Sequence, residues 1–192
     1  MKDPQFSKNT KKRNNDQINT DIFVTDGSWG ENVPWEFYLS EVYPPSILCT
    51  AVFCIVTYKK KVLLVNHIER GWEIPGGHLD SGEDLIQGIV REVLEETGAI
   101  AEKPIYFGYK RISPLDPIPH ATNLGKYYPY PHSFIPYYYC EVSEILNINL
   151  SKDIESMGIF AWKDAMKILS PIQKNAKIIQ FLIDTKKIEV YE

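Results

Sequence analysis

The segment from residue 84 to residue 96 constrains the fold most, because its apolar side chains recur at helical spacing. Projected at about 100° per residue, the apolar positions cover one continuous half of a helix. These positions are Leu85, Ile86, Ile89, Val90, Val93 and Leu94. Ser81 is the expected N-cap, with Asp84 three residues later as a weak capping box, and Gly98 is expected to end the helix. A helix with so wide an apolar face must pack on another layer of structure.

The residues before this helix predict two β-strands joined by a tight turn. The run ILCTAVFCIVTY starts at Ile47, a basic turn follows, and VLLVNHI starts at Val62. Further strand-like runs lie at 105–112, 133–142 and 158–162, and helices are expected from Lys163 to about Leu169 and from Pro171 to about Asp184. A short strand is expected at 188–191. Strands and helices mix without strict alternation, so the predicted fold is α/β of the α+β type, with a mixed sheet between helices.

The chain divides into three predicted parts. Residues 1–20 are polar and predict a mobile or loosely docked arm, residues 21–46 form an aromatic-rich extension that packs on the domain or on a second subunit, and residues 47–192 form one domain. The three cysteines are odd in number and lack a CxxC pair, which predicts free thiols in a reducing compartment. No apolar run is long enough to span a membrane, so a cytoplasmic location is expected.

Three glutamates stand close together at the end of the predicted helix. On the helical projection Glu96 falls inside the apolar face, Glu92 at its margin and Glu95 on the polar side. Each acid near a helix C-terminus costs roughly 0.3–1 kcal/mol, and a carboxylate at a core margin also loses hydration. An exposed acidic face with Arg91 pairing Glu95 is the alternative, but it accounts for Glu95 alone. A divalent cation such as Mg²⁺ or Mn²⁺ accounts for all three carboxylates.

The wider spacing resembles a known family pattern. Gly77 is followed after five residues by Glu83, and after seven more by the run REVLEETGA, from Arg91 to Ala99. This resembles the Nudix box, of which all seven fixed residues match, while Ala99 is smaller than the usual aliphatic residue. With the flanking strands and the run WEIPGG, the likeness extends over about residues 47–185. The resemblance implies an α/β/α sandwich and Mg²⁺- or Mn²⁺-dependent hydrolysis of the diphosphate in a nucleoside diphosphate joined to another group.

The resemblance also implies roles for individual residues. Glu92, Glu95 and Glu96 would be metal ligands, and one of them, chiefly Glu92, or a loop acid would be the general base. A glycine carbonyl, that of Gly77, would also reach the metal. Glu83 and Arg91 would orient the glutamates. Glu155, with Asp153 as the alternative, would be a further ligand, although a solvated loop acid explains either residue equally well.

The loop at 113–132 is expected to choose the substrate. Its aromatic residues would stack a base or ribose, and its basic residues together with Arg111 would meet phosphate, although loop packing is the alternative for each one. The aromatic candidates are Tyr127, Tyr128 and Tyr130, and the phosphate candidates are Arg111, His120, Lys126 and His132. Pro114 and the run PYPHS faintly resemble features of ADP-ribose hydrolases and NADH pyrophosphatases. A dinucleotide or nucleotide-sugar and a nucleoside triphosphate therefore both stay open as substrates.

Two further classes of function share this fold. A non-enzymatic nucleotide-binding sensor would be expected to lose box glutamates, and this chain keeps all of them. A hydrolase that removes RNA caps would need a basic RNA track, and the net charge of −4 argues against one. The expected partner is a small nucleotide, without a membrane or a stable nucleic-acid partner. Because members of the resembled family often dimerise, a homodimer is a further expectation.

Overall fold

The computed structural model describes residues 34–114, 128–169 and 175–184, together with the backbone of residues 21–24. The polar arm, the strand expected at 188–191, and the side chains of His120, Lys126 and Tyr127 lie outside this part of the chain. The first turn expected for the last helix, at Pro171, also lies outside it.

A mixed β-sheet forms the centre of the described structure. Its strands are β1 (Asp21–Val24), β2 (Trp35–Leu39), β3 (Ala51–Tyr58), β4 (Lys61–His67), β5 (Gly71–Glu73), β6 (Gly76–His78), β7 (Ile105–Ile112), β8 (Ser133–Val142) and β9 (Ile154–Phe160). The pairing of β3 with β8 is parallel, and the other pairings between strands are antiparallel. The helices are α1 (Leu85–Thr97), α2 (Trp162–Ile168) and α3 (Asn175–Asp184), with a 3₁₀ turn at Ser46–Leu48.

Strand β3 shows how the helices cover both faces of the sheet. Successive side chains of a strand point to opposite faces. Phe53 and its neighbours two residues away join the core that includes Trp162 of α2 and Ile178 of α3. Cys54 and its neighbours two residues away join the core that includes Val93 of α1. Helix α1 therefore lies on one face and helices α2 and α3 on the other, which confirms the predicted sheet between helices.

The sheet divides next to the C-terminal half of α1. Strand β4 pairs with β3 only near their shared hairpin, from Leu63 to Lys61, and farther along the same edge it pairs with β5. Strand β3 likewise exchanges β4 for β6 as its partner over residues 51–53. Strands β5 and β6 therefore enter between β3 and β4, and residues 74–75 join them. The backbone N–H of Gly76 at this junction donates a hydrogen bond to Glu96 of α1 at 2.9 Å.

The aromatic extension contributes a strand to the sheet. Strand β2 pairs with β7 along its whole length, from Trp35 beside Ile112 to Leu39 beside Gly108. Phe37 is fully buried and makes an edge-on ring contact with Tyr137 of β8 at 5.3 Å. Of the two packing alternatives for the extension, the described residues therefore show packing on the domain.

The start of α1 differs from the prediction and its end agrees with it. Asp84 is the N-cap, because its carboxylate accepts the N–H groups of Ile86 and Gln87 at 2.9 and 2.8 Å, and Gln87 accepts the Asp84 N–H in return. The expected cap at Ser81 was wrong, since a turn at 81–82 separates it from the helix. Gly98 ends the helix with φ of 72°, as predicted. The three cysteines are free.

Replacing Asp84 with Ala should lower the free energy of unfolding by about 1 kcal/mol, because two N–H groups of α1 lose their acceptor. Ser81→Ala is the matched control and should change it by less than about 0.5 kcal/mol. Urea unfolding followed by circular dichroism measures both values. Equal losses in the two variants would contradict the assignment of the cap.

Candidate active site

Arg91 connects helix α1 to the loop and strand that precede it. Its guanidinium donates to both carboxylate oxygens of Glu83, at 2.7 and 2.8 Å, and to the carbonyl oxygen of His78 at 3.0 Å. It also donates to Glu92 at 2.9 Å and to Glu95 at 3.3 Å. The hydrogen bond from Arg91 lowers the pKa of Glu83. One cation therefore holds Glu83, two of the three glutamates at the end of α1, and β6 together.

The three glutamates differ in burial in the order that the helical projection predicts. The exposed fraction is 7% for Glu96 and 9% for Glu92, whereas the side chain of Glu95 is 51% exposed. Burial raises the pKa of Glu92, even though Arg91 opposes the change, and it raises the pKa of Glu96 to about 8. Within the described residues, Glu96 accepts a hydrogen bond from Gly76 and forms no ion pair. Of these three glutamates, the most buried one is thus the one without a contacting cation among the described residues.

Two glycines allow β6 to approach this helix. Gly76 has φ of +147°, and a side chain there would place its Cβ 2.3 Å from the carbonyl oxygen of Val52. A Cβ at Gly77 would lie 2.6 Å from Oε1 of Glu92. Gly76 therefore requires glycine, because the backbone of the neighbouring strand lies against it, whereas a side chain at Gly77 would displace the carboxylate of Glu92.

This donor set fits a hard divalent cation. Carboxylate and carbonyl oxygens are the ligands that Mg²⁺ prefers, and a buried carboxylate with a raised pKa is stabilised in its charged form by a nearby positive charge. In the described part of the chain, no three acidic, His or Cys side chains are already grouped closely enough to hold a metal. Arg91 and the Gly76 N–H instead hold the box carboxylates individually.

The further candidate ligand lies on the strand next to β4. Glu155 is exposed and accepts a hydrogen bond from Asn66 at 2.7 Å, and the Asp153 carbonyl accepts the Ile68 N–H at 3.0 Å. The preceding loop reaches the end of α1, where the Ser151 N–H donates to the carbonyl of Glu95 at 2.9 Å. The structure therefore brings this loop to the end of α1. Among the described residues, Glu155 is not part of a group of three potential metal ligands.

Most described substrate candidates already have protein partners. Arg111 pairs with Glu36 and lies 5.1 Å from the Tyr38 ring, and Nδ1 of His132 is 2.9 Å from Oγ of Ser113. Tyr128 is buried, which raises its pKa to about 12, and its hydroxyl is 2.6 Å from Nε2 of His78. Tyr130 is 50% exposed. Tyr130 is therefore the described candidate whose ring has most access to a ligand.

One charged pair near the box is absent from the sequence predictions. Glu73 of β5 is 1% exposed, and its carboxylate accepts from Arg70 at 2.6 Å. The only signal in the sequence was an acid between Trp72 and Ile74, two large apolar residues, in a short segment. That signal gives no partner, because the pairing depends on the turn between β4 and β5.

A family model described as the NUDIX domain matches residues 48–182, which is more than half of the chain. The chain belongs to the Nudix family. Nudix hydrolases generally use a divalent metal and act on small nucleotide substrates. In the described residues, no helix is long and apolar enough to cross a membrane.

The curated Nudix relatives resemble this chain over short segments. The uncharacterized Nudix hydrolase YvcI of Bacillus subtilis is 40% identical over 52 residues, which are 27% of this chain and 33% of the relative. The phosphatase NudJ of Escherichia coli is 39% identical over 59 residues, which are 29% of this chain and 38% of that protein. The matches thus span between a third and two fifths of these relatives.

Solved Nudix structures share the fold more widely. The pyrophosphohydrolase BsRppH of Bacillus subtilis superposes with a TM-score of 0.60 at 21% identity, covering 80% of this chain and 91% of that chain. A Nudix hydrolase from Nitrosomonas europaea gives a TM-score of 0.52 at 21% identity, covering 74% and 97%. These similarities show that the sheet and its helices have the Nudix arrangement.

The raised pKa of Glu96 predicts a pH-dependent stability in the presence of a chelator. The unfolded side chain loses its proton near pH 4.5, whereas the folded one keeps it up to about pH 8. The folded state thus binds more protons in this window, so the stability contributed by Glu96 is full below pH 4.5 and lost as pH rises to about 8.

Glu96→Gln should remove this part of the slope, and Glu95→Gln, on an exposed side chain of the same helical turn, should keep it. Urea unfolding with EDTA at a series of pH values measures the difference between each variant and the wild type. An unchanged slope in Glu96→Gln would contradict the prediction.

Proposed function

We propose that this protein is a metal-dependent hydrolase that cleaves the diphosphate linkage of a nucleoside diphosphate joined to another moiety. The observation that carries the proposal is the pair of buried carboxylates, Glu92 and Glu96, held against the glycine backbone of β6 within a complete Nudix box. Ordinary packing does not account for acids that are both buried and placed at the negative end of a helix.

The residues that would hold the metal are Glu92, Glu95 and Glu96, with the Gly77 carbonyl and Glu155 as further ligands. When bound, the ion would neutralise charge on the diphosphate and lower the pKa of an attacking water. Arg91 would orient two of the carboxylates through its hydrogen bonds, and Glu83 would hold Arg91 by accepting two of its N–H groups. Glu92 or a loop acid would accept the proton of the water.

The substrate belongs to one of two groups in this proposal. A dinucleotide or nucleotide-sugar would release a nucleoside monophosphate, whereas a nucleoside triphosphate would release pyrophosphate. The exposed ring of Tyr130 supports stacking of a base or ribose in either case. A cytoplasmic location, a homodimer, and the division into arm, extension and domain stay predictions.

A panel of nucleotides with Mg²⁺ or Mn²⁺ tests the reaction. AMP released from ADP-ribose or NADH would assign the first group, and pyrophosphate released from triphosphates would assign the second. Glu92→Gln should lower metal-dependent turnover by at least the 10–100-fold loss that is typical of residues that only orient metal ligands. Turnover by Glu96→Gln should be abolished.

Glu102→Gln, an exposed glutamate outside the box, is the control and should retain full turnover. Tight nucleotide binding by the wild type without turnover on the whole panel would favour the alternative, a nucleotide-binding sensor. Unchanged turnover in Glu96→Gln would contradict the assignment of the site.

Gly77→Ala tests the approach of β6 to the helix. The added Cβ would lie 2.6 Å from Oε1 of Glu92, whose flexible carboxylate end would have to move away. We expect the free energy of unfolding to change by less than about 1 kcal/mol, while Mn²⁺ affinity falls about tenfold or more. Isothermal titration with Mn²⁺ measures the affinity, with Ser81→Ala as control. Unaltered affinity would separate Gly77 from the metal site.

A further inference from the structure

Arg70 and Glu73 form an ion pair with more hydrogen bonds than are needed to hold the turn between β4 and β5. Nε of Arg70 lies 3.0 and 3.3 Å from the two carboxylate oxygens of Glu73, and Nη2 lies 2.6 Å from one of them. The Glu73 side chain is 2% exposed and that of Arg70 is 32% exposed. Removing a carboxylate from water is costly, and apolar residues of similar volume are often as stabilising as a buried ion pair. Stability alone therefore does not explain an acid at this position.

The backbone around Arg70 is fixed from both sides. Its own N–H donates to the carbonyl of His67 at 3.2 Å, and the Ile68 N–H donates to the carbonyl of Asp153 at 3.0 Å. Glu73 lies beside Val65 in the pairing of β5 with β4. Because the turn and the carboxylate are both held, the guanidinium has little freedom left to lose when it binds a ligand.

The guanidinium lies close to the candidate metal site. Residues 74–75 alone separate Glu73 from Gly76, whose N–H contacts Glu96. Among the described residues, the hydrogen bonds of the Arg70 side chain go to Glu73. These bonds use Nε and one N–H of Nη2, which leaves the other N–H donors of the guanidinium for a ligand.

We propose that Arg70 binds the diphosphate of the substrate and that Glu73 is the positioning residue that orients its guanidinium. The proposal rests on the proposed function, since it concerns the same site. A fork of N–H donors matches phosphate oxygens geometrically, and a carboxylate on one edge of the guanidinium sets the direction of the opposite edge. Arg70 would thus hold phosphate oxygens that the metal does not, while the glutamates of α1 hold the metal.

A purely structural role is the competing explanation, in which the pair only fastens the turn between β4 and β5. Such a role predicts that substitutions change the free energy of unfolding and leave ligand affinity unaltered. The binding role predicts in addition that substitutions of Arg70 weaken ligand binding, because its side chain is partly exposed and its outward donors contribute nothing to the turn. Affinity for a non-hydrolysable ligand therefore separates the two.

The test uses the full chain and a nucleoside α,β-methylene diphosphate, whose bridging carbon prevents cleavage at that linkage. Calorimetric titration in the presence of Mg²⁺ measures its affinity, and the unmodified nucleoside serves as the ligand without phosphate. Arg70→Gln should weaken binding of the diphosphate analogue by about 10–100-fold, the usual range for a hydrogen bond to a charged group, and leave nucleoside binding unaltered. Arg70→Lys keeps the charge without the fork and should fall between Gln and the wild type.

Glu73→Gln tests the positioning role. It should weaken analogue binding in the same direction as Arg70→Gln and by a smaller factor, because the arginine stays but its orientation relaxes. The double variant should bind no more weakly than Arg70→Gln alone, since Glu73 acts only through Arg70. Lys167→Gln removes an exposed cation that pairs with Asp164 on α2 and is the matched control, with no expected change.

The outcomes distinguish this proposal from the proposed function. Absence of turnover by the wild type on every nucleotide would reject the hydrolase, whereas the analogue titration tests Arg70 without any turnover. Wild-type affinity in Arg70→Gln, or an equal loss of nucleoside and analogue binding, would overturn the proposal. Absence of analogue binding by the wild type would overturn it as well. If Glu73→Gln does not fold, the Gln and Lys variants of Arg70 decide the question.

Discussion

The ion-pair network of Arg91 is the interaction on which the rest of the site depends. Three glutamates at one helix end repel each other and the helix dipole, and Glu83 adds a fourth negative charge beside them. One guanidinium contacts Glu83, Glu92 and Glu95, and the same group donates to the backbone of β6. The network thus sets the distance between the helix and the strand. Among the described residues, it leaves Glu96, the most buried of the three helix glutamates, without a cation in contact.

The spacing of apolar and charged residues was sufficient to predict those features that depend on neighbouring residues in the sequence. The helical projection placed Glu96 inside the apolar face and Glu95 outside it, because the side-chain direction in a helix follows from residue spacing. The cap was wrong because Ser81 and Asp84 both suit that position. Only the course of the loop, where Glu83 turns towards Arg91, decides between them. The layered fold followed from strands and helices that each needed a covered face.

Contacts between distant segments were the part that the sequence could not predict. The pairing of β2 with β7, from Trp35 beside Ile112 to Leu39 beside Gly108, joins residues that are distant in the sequence, and no periodicity in either strand specifies this register. Arg111 was a natural candidate for phosphate, yet its charge is already paired with Glu36 across those same strands. Glu73, in contrast, was not predicted to belong to the site. Its sequence context is ordinary, and its burial against Arg70 arises only from the fold.

The division of the sheet limits how far apart the residues on its two sides can lie. Arg70, Glu73, Gly76 and Gly77 all lie on one short stretch of chain that crosses from the β4 edge to the β3 edge. An extended chain advances at most about 3.6 Å per residue, so Glu73 and Gly77 are no farther apart than roughly 14 Å. Covalent geometry, rather than side-chain packing, therefore sets the upper limit on this span. Substitutions elsewhere in the core cannot raise this maximum distance between Glu73 and Gly77, whereas one residue inserted at 74–75 would raise it directly.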